Sequence, residues 1–351
     1  MNYKPLDAKV AKNRSAVVLA GGDGLRLRSF VEKLRGDCLP KQYVNFLGDH
    51  SLLEATLKRA RRIVPFRRQL VVVTKSHFDY PEVAQQLSNF PDVHVAVQPM
   101  NRDTGLGLLL PLAQIYRARP DSTVVIFPSD HFIEEEGLFL SHVGAAFALV
   151  EKDSAKTVLL AIAPTHAETD YGYILPSNCR HNTLPFGARE VKHFIEKPDS
   201  TVARNLIQRG AIWNTMVMVF NLRTLLEHLR AIKPLVYRAF EDICDAVDSS
   251  RFTSVVKRVF ETSEPFNLSK GILENIPAHK PRSLLVLPVR GVQWSDWGSA
   301  ERILASAGNA LNDRSGQESS RHRLPARQHQ DETLGHDLRY IEFSEANRLG
   351  S

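Results

Sequence analysis

Short, unbroken apolar runs alternate with longer amphipathic stretches through the first half of this chain, and that alternation restricts the fold more than any other feature. The runs are Ser15–Ala20, Gln69–Thr74, Val93–Val97, Thr123–Phe127 and Thr157–Ala163. A run that is apolar throughout, not at every second position, fits a strand buried on both faces, as parallel strands are. Between the runs the spacing predicts helices over about 51–62, 80–87, 105–117 and 138–151. Ser51 followed by Glu54 is a capping box that starts the first of them. Repeated β-α alternation predicts an α/β protein: a Rossmann-like, mostly parallel sheet with helices on both faces.

Beyond Pro164 the texture changes. Strands are expected over 171–175 and 190–195, with little helix between them, as sheet extensions lining a cleft. A helix over 200–209 is expected to start on Ser200, followed by a strand at 216–220 and helices at 223–229 and 235–247. A last strand is expected at 283–289, then an aromatic-rich loop at 293–298 and a helix from about Ser299. Residues 21–48 read as one long irregular stretch, a length uncommon in compact domains without a task. The cluster Lys58, Arg59, Arg61 and Arg62 reads as a solvated helix face. Residues 1–14 read as a polar leader, and 306–351, poor in large apolar residues, as a disordered or loosely docked tail.

The bulk properties exclude several classes. A net charge of +6 is a mild excess that suits a phosphorylated substrate without demanding nucleic acid. No apolar run approaches the ~20 residues of a membrane span, and the N-terminus has no secretory h-region. Cys38, Cys179 and Cys244 are odd in number and form no C-x-x-C, so reduced thiols in a cytoplasmic protein are expected.

The first apolar run ends in Gly21-Gly22-Asp23-Gly24, and Arg26 and Arg28 follow. Glycines let a backbone approach a ligand closely, successive N–H groups can converge on an anion, and a guanidinium can bind phosphate oxygens in pairs. The spacing excludes two known loops. Leu27 stands where a dinucleotide fingerprint needs its third glycine, and no G-K-[ST] follows as a P-loop requires. A hydride-transferring dehydrogenase is excluded with the first.

Ligands of open α/β sheets sit beyond the carboxyl ends of the strands. Three such ends carry polar chemistry here: Gly21 to Arg26, Gln98 to Asp103, and Asp130. Asp130 suits a hard cation such as Mg²⁺, though alone such an Asp is more often a helix cap. His131 alone is more often structural. Asp296 lies between Trp294 and Trp297, where a carboxylate needs a cation or donors; it serves equally as a turn residue capping the next helix.

Taken in order, these segments resemble the sugar-1-phosphate nucleotidyltransferases, most closely the mannose-1-phosphate guanylyltransferase-like branch. The resemblance covers about residues 15–305. It rests on LAGGDGLRL, Pro40-Lys41-Gln42, Gln98-Pro99 with Asn101-Arg102-Asp103-Thr104, Pro128-Ser129-Asp130-His131, Asp170-Tyr171-Gly172-Tyr173-Ile174, Glu196-Lys197-Pro198, Trp213-Asn214 and Trp294-Ser295-Asp296. It implies a nucleotide half over about 15–163 and a sugar-phosphate half over about 164–305. It further implies transfer of a nucleotidyl group from a nucleoside triphosphate, GTP favoured, to a sugar 1-phosphate, mannose 1-phosphate favoured. The nucleophile is already an oxyanion, so charge neutralisation and positioning suffice.

By the same resemblance, Ala20, Gly21, Gly22, Gly24, Gln98, Arg102 and Thr104 hold the nucleotide. Arg26 and Lys41 neutralise the triphosphate, and Asp130 and Asp296 hold one Mg²⁺. Lys197 binds the sugar phosphate, while Glu196, Asn214 and the Gly172 backbone meet sugar hydroxyls. The implied partners are a nucleoside triphosphate and a sugar 1-phosphate, with no nucleic acid and no membrane; a homodimer is open. Two departures stand out: Leu25 replaces the signature threonine, and the segment 268–273 lacks an acid. They motivate the competing class, a catalytically silent paralogue that binds nucleotide or sugar phosphate and regulates an enzyme.

Overall fold

The computed structural model describes residues 13–177 and 184–306. The expected leader, all but its last two residues, the tail from 307 onward and Cys179 lie outside the described residues. Cys38 and Cys244 are free thiols.

The alternation predicted from the apolar runs is present. Strand β1 (Arg14–Leu19) leads through helices α1 (Arg28–Arg35) and α2 (Leu52–Arg61) to β2 (Gln69–Thr74). Then come α3 (Pro81–Ser88), β3 (His94–Gln98), α4 (Asp103–Ala118), β4 (Thr123–Pro128), a short β5 (Phe132–Ile133), α5 (Glu136–Lys152) and β6 (Thr157–Ile162). The capping box at α2 is complete: the Ser51 hydroxyl accepts from the Glu54 N–H and the Glu54 carboxylate from the Ser51 N–H.

Later elements are β7 (Gly172–Pro176), β8 (Arg189–Glu196), α6 (Ser200–Gln208), β9 (Ile212–Asn221), α7 (Leu222–Ile232), α8 (Pro234–Ala246) and α9 (Phe252–Thr262). A π-helical turn (Ser269–Leu273), α10 (Ile276–His279), β10 (Leu284–Val289) and a short β11 (Trp294–Ser295) complete the set, and residues 300–306 are helical.

The main sheet runs β3-β2-β1-β4-β9-β6-β10-β8-β7. β3, β2, β1 and β4 are parallel, as are β6 and β10. β9 inserts antiparallel between β4 and β6, and β8 is antiparallel to both its neighbours. The first residues of β9 also pair with β7, which closes β9, β6, β10, β8 and β7 into a ring. Side chains alternate across the sheet: Ala16, Val18, Val125 and Phe127 join one buried layer, and Val17, Val124 and Ile126 the other. Residues of α2 and α5 cover the first layer and those of α4, α7, α8 and α9 the second.

Several local expectations need correction. Residues 21–48 are not irregular throughout: α1 lies inside them, with Val31 its one buried residue and Gly36 ending it at φ 83°. α6 is capped by Asp199, whose carboxylate accepts from the Thr201 and Val202 N–H groups, and not by Ser200. Trp213-Asn214-Thr215 lies within β9 and does not precede it. Arg59 is no solvated residue; it is buried and its Nε donates to Glu136 at 2.9 Å. Helix α9 is an addition to the elements expected from sequence.

Candidate active site

A cavity of about 600 Å³ opens beyond the carboxyl ends of β1, β2, β3 and β4, facing β7, the end of β8 and the first part of β9. Its lining includes Gly21, Gly22, Gly24, Arg26, Lys41, Gln98, Thr104, Asp130, Gly172, Glu196, Lys197, Asn214 and Asp296. The topology thus brings residues separated by nearly the whole chain to one place. Two expected nucleotide residues are elsewhere. Ala20 is buried, its carbonyl accepting from Gln42 Nε2 (2.8 Å) and Tyr43 Oη (3.1 Å). Arg102 is not in the lining, and its Nε donates to the Phe260 carbonyl at 2.8 Å, at the end of α9.

The glycine loop is held from behind. Gln42 Nε2 donates to the carbonyls of Ala20 and Gly22, both at 2.8 Å, and Thr74 Oγ1 donates to that of Gly21 at 2.8 Å. A Cβ on Gly21 would fall 2.5 Å from Gln98 Nε2, so a larger residue here would displace that amide. Gln98 Nε2 donates to Thr74 Oγ1 (2.8 Å) and Gly21 O (3.3 Å), while its buried Oε1 has no partner. An acceptor buried without a donor is expensive unless a ligand supplies one.

Lys41 ties two turns together. Its buried ammonium lies 3.1 Å from Asp130 Oδ2 and donates to the carbonyls of Asp296 (2.5 Å) and Trp297 (3.2 Å). Burial works to raise the carboxyl of Asp130, but Lys41, with help from His131, holds it below the usual range. Burial pushes the pKa of the His131 imidazole down, and its Nδ1 accepts from Trp294 Nε1 at 3.2 Å.

Asp296 is more heavily engaged. Its Oδ1 accepts from Tyr171 Oη (2.7 Å), Arg302 (2.7 Å) and the Gly298 N–H (3.0 Å). Against the effect of burial, Lys41, Tyr171 and Arg302 hold its pKa down at about 2. Its Oδ2 meets Arg26 Nη2 at 3.2 Å, and Arg26 Nη1 donates to Asp170 at 2.6 Å. Arg26 is half exposed.

These two carboxylates fit a hard divalent cation. Asp130 Oδ1 is 3.8 Å from His131 Nε2, beyond hydrogen-bond length, and Asp296 Oδ2 has only the long contact to Arg26. Among the described residues no group of three or more His, Cys, Asp or Glu is arranged to hold a metal alone. Two carboxylates completed by water and phosphate oxygens is the pattern Mg²⁺ favours.

Strained backbone lies at and around the cavity, and close approach shapes its far wall. Asp103, Lys197, Met216 and Trp297 all have positive φ (67°, 49°, 58° and 43°), a conformation that persists for non-glycine residues only where surroundings enforce it. Met216 sits where the β6–β9 register shifts, between Leu159 and Ala161, and this bulge carries Asn214 to the cavity. Thr215 Oγ1 donates to the Leu160 carbonyl (2.7 Å), and Asn214 Oδ1 accepts from the Met216 N–H (3.2 Å); Asn214 Nδ2 is buried without a partner. Glu196 Oε2 is likewise unpartnered, and burial pushes that carboxyl up. A Cβ on Gly172 would lie 2.6 Å from this oxygen.

Sequence reasoning missed Gln42, Asp170, Tyr171, Asn267 and Arg302. The first three lie in motifs it singled out, so their signal was present; Asn267 and Arg302 carried none. Leu25 is 68% exposed and outside the lining, so that departure places nothing apolar in the cavity.

Residues 15–312 match the family described as nucleotidyl transferase. The xanthan biosynthesis protein XanB of Xanthomonas campestris pv. campestris is 29% identical over 290 residues, covering 82% of this chain and 58% of that protein. Mannose-1-phosphate guanylyltransferase 2 of Escherichia coli O157:H7 is 29% identical over 304 residues, with the same 82% and 58%. The crystal structure of a mannose-1-phosphate geranyltransferase from Thermus thermophilus superposes with a TM-score of 0.68 at 26% identity, covering 83% of this chain and 79% of that one. The chain spans about 58% of the length of these two curated relatives.

Proposed function

Since the chain belongs to the nucleotidyl transferase family, we propose that its cavity joins a nucleoside triphosphate to a sugar 1-phosphate, releasing pyrophosphate. GTP and mannose 1-phosphate are the favoured pair, after the relative named for that chemistry. The observation that carries the reading is the juxtaposition in one cavity of a glycine loop, Arg26, Lys41 and Lys197, and the carboxylates of Asp130 and Asp296. A phosphate oxyanion needs no base to become a nucleophile, and the site is built from charge and not from a nucleophile–base pair.

In the reaction a sugar-phosphate oxygen attacks the α-phosphorus, and the bond from that phosphorus to the bridging oxygen of the β-phosphate breaks. Gly21, Gly22 and Gly24 leave room for the nucleotide, and the free Oε1 of Gln98 accepts from its base or ribose. Lys41 stays anchored between the two turns and neutralises the triphosphate from a fixed position. Arg26 leaves Asp170 and Asp296 to meet the departing pyrophosphate. Lys197 draws in the sugar phosphate, while Glu196 and Asn214, each with a buried unpartnered atom, pair with sugar hydroxyls. Asp130 and Asp296 would hold the Mg²⁺, which neutralises charge at the α-phosphate.

Among the described residues no helix is long and apolar enough to cross a membrane. Nucleotides and sugar phosphates place such an enzyme in the cytoplasm. The test is pyrophosphate release with Mg²⁺, crossing the four common nucleoside triphosphates with mannose, glucose, fucose and heptose 1-phosphates. Release confined to GTP plus one sugar supports the reading and names the substrate. A folded protein that releases none from any pair sinks it.

A further inference from the structure

We propose that Arg302 and Tyr171 are positioning residues that clamp one oxygen of Asp296 and thereby present the other to the cavity. The proposal rests on reading Asp296 as a metal ligand. Asp296 Oδ1 receives three donors, from Tyr171 Oη, Arg302 Nη1 and the Gly298 N–H, at 2.7, 2.7 and 3.0 Å. Arg302 Nη1 also donates to Tyr171 Oη at 2.9 Å, and its other nitrogen to Glu168, so the two donors brace each other. A carboxylate oxygen with three donors is saturated, and rotation about the Cβ–Cγ bond would break all three bonds together. Only Oδ2 is left for a ligand.

The clamp has a rigid backing. Arg302 belongs to the helical segment 300–306, which is pinned by Trp297: that ring is buried, stacks on Phe132 with centroids 4.9 Å apart, and donates from Nε1 to Ser306 at 3.0 Å. Tyr171 is wedged edge-on against Trp213 and Trp294. Partners of this kind orient metal ligands, and their loss typically weakens metal affinity by ~10–100-fold.

Arg302 exerts two opposed effects. Its fork orients Asp296, but its charge repels a cation held there. Arg302→Met would remove both and mix them. Arg302→Lys keeps the charge and loses the planar fork, and Tyr171→Phe removes one donor without any change in charge. These two variants isolate the geometry. Two readouts apply: binding of Mn²⁺ alone, followed by the electron paramagnetic resonance of the free ion, and the Mn²⁺ half-saturation of pyrophosphate release at saturating GTP and mannose 1-phosphate.

Each variant is expected to raise both metal constants about tenfold, with its melting temperature close to that of the unaltered protein. Metal constants within twofold of the unaltered protein overturn the inference, and so does a lower melting temperature with kcat reduced but metal constants unmoved, which marks a structural role. An unaltered protein that neither binds Mn²⁺ nor releases pyrophosphate overturns the functional reading, and this inference falls with it. Active unaltered protein with indifferent variants overturns the inference alone.

Discussion

Arg26 shows how a single side chain can be at its post and yet not at work. Its guanidinium is shared between Asp170 and Asp296, and on the proposed reading a nucleotide would have to draw it away from both. Exposed ion pairs contribute ~0–1 kcal/mol, and the Arg26–Asp170 pair is about half exposed on each side. Asp170→Asn is therefore expected to tighten GTP binding by up to about fivefold, read by calorimetry at low salt; unchanged or weaker binding would show that the pair does not compete. Glu196 yields the opposite kind of prediction. Burial pushes its carboxyl up, so the folded state holds the proton more firmly than the unfolded chain. Its contribution to stability is therefore full below the unfolded pKa and lost as pH rises through the folded value, and the ionised form is a burden at pH 8. Glu196→Gln removes that burden and, on the proposed reading, a partner of the sugar. It is expected to melt no lower than the unaltered protein at pH 8 while raising KM for the sugar phosphate at least ~10-fold, with KM for GTP within about twofold.

At the scale of elements, local chemistry decides boundaries and tertiary contact decides reach. The capping box at α2 satisfies two N–H groups, and Ser51→Ala is expected to destabilise the protein by about 1 kcal/mol. Denaturant unfolding with an unchanged m-value is the check. Such signals are written in the sequence, as are the buried strands, because every residue of β1, β2, β4 and β6 answers to the same sheet environment. α1 was harder to read for a different reason: it is only eight residues long and buries only Val31. β9 was foreshortened because its ladder with β6 shifts register around Met216, which sets residues 212–215 apart from the apolar run that follows. The candidate site was legible where residues sit in compact motifs at strand ends. Arg302 was not, because it arrives from a helical segment beyond the last strand and nothing local marks its direction. The π-helical turn is a similar case. Phe266 is wedged against Gly105 and Gly271, where added Cβ atoms would lie 2.3 and 2.9 Å from its ring. Asn267, the next residue, lines the cavity and donates to Asp103 at 3.2 Å.

For the whole molecule, the sheet does more than hold the site: it buries ionisable groups far from the chemistry, and these set how the fold responds to acid. His228, on α7, is 1% exposed and its Nε2 has no partner. Burial, with Lys280 and His279 nearby, pushes its pKa down to about 4. The unfolded chain binds a proton there below about pH 6.5, whereas the folded state refuses it until about pH 4. Stability is therefore fully present above the unfolded pKa and is lost progressively as pH falls through that window. By linkage the loss between pH 8 and 5.5 from this residue is about 1 kcal/mol. His77 is also pushed down by burial, so the total slope is steeper than one histidine provides. His228→Leu is expected to remove its own share, flattening the dependence by about 1 kcal/mol over that range in urea titrations at pH 8 and 5.5. The side chain does not line the cavity, so kcat at pH 8 should be unaltered. An unchanged slope would mean that the imidazole finds water or a partner in the folded state; a changed kcat at pH 8 would mean that α7 couples to the cavity through the layer it shares with α4.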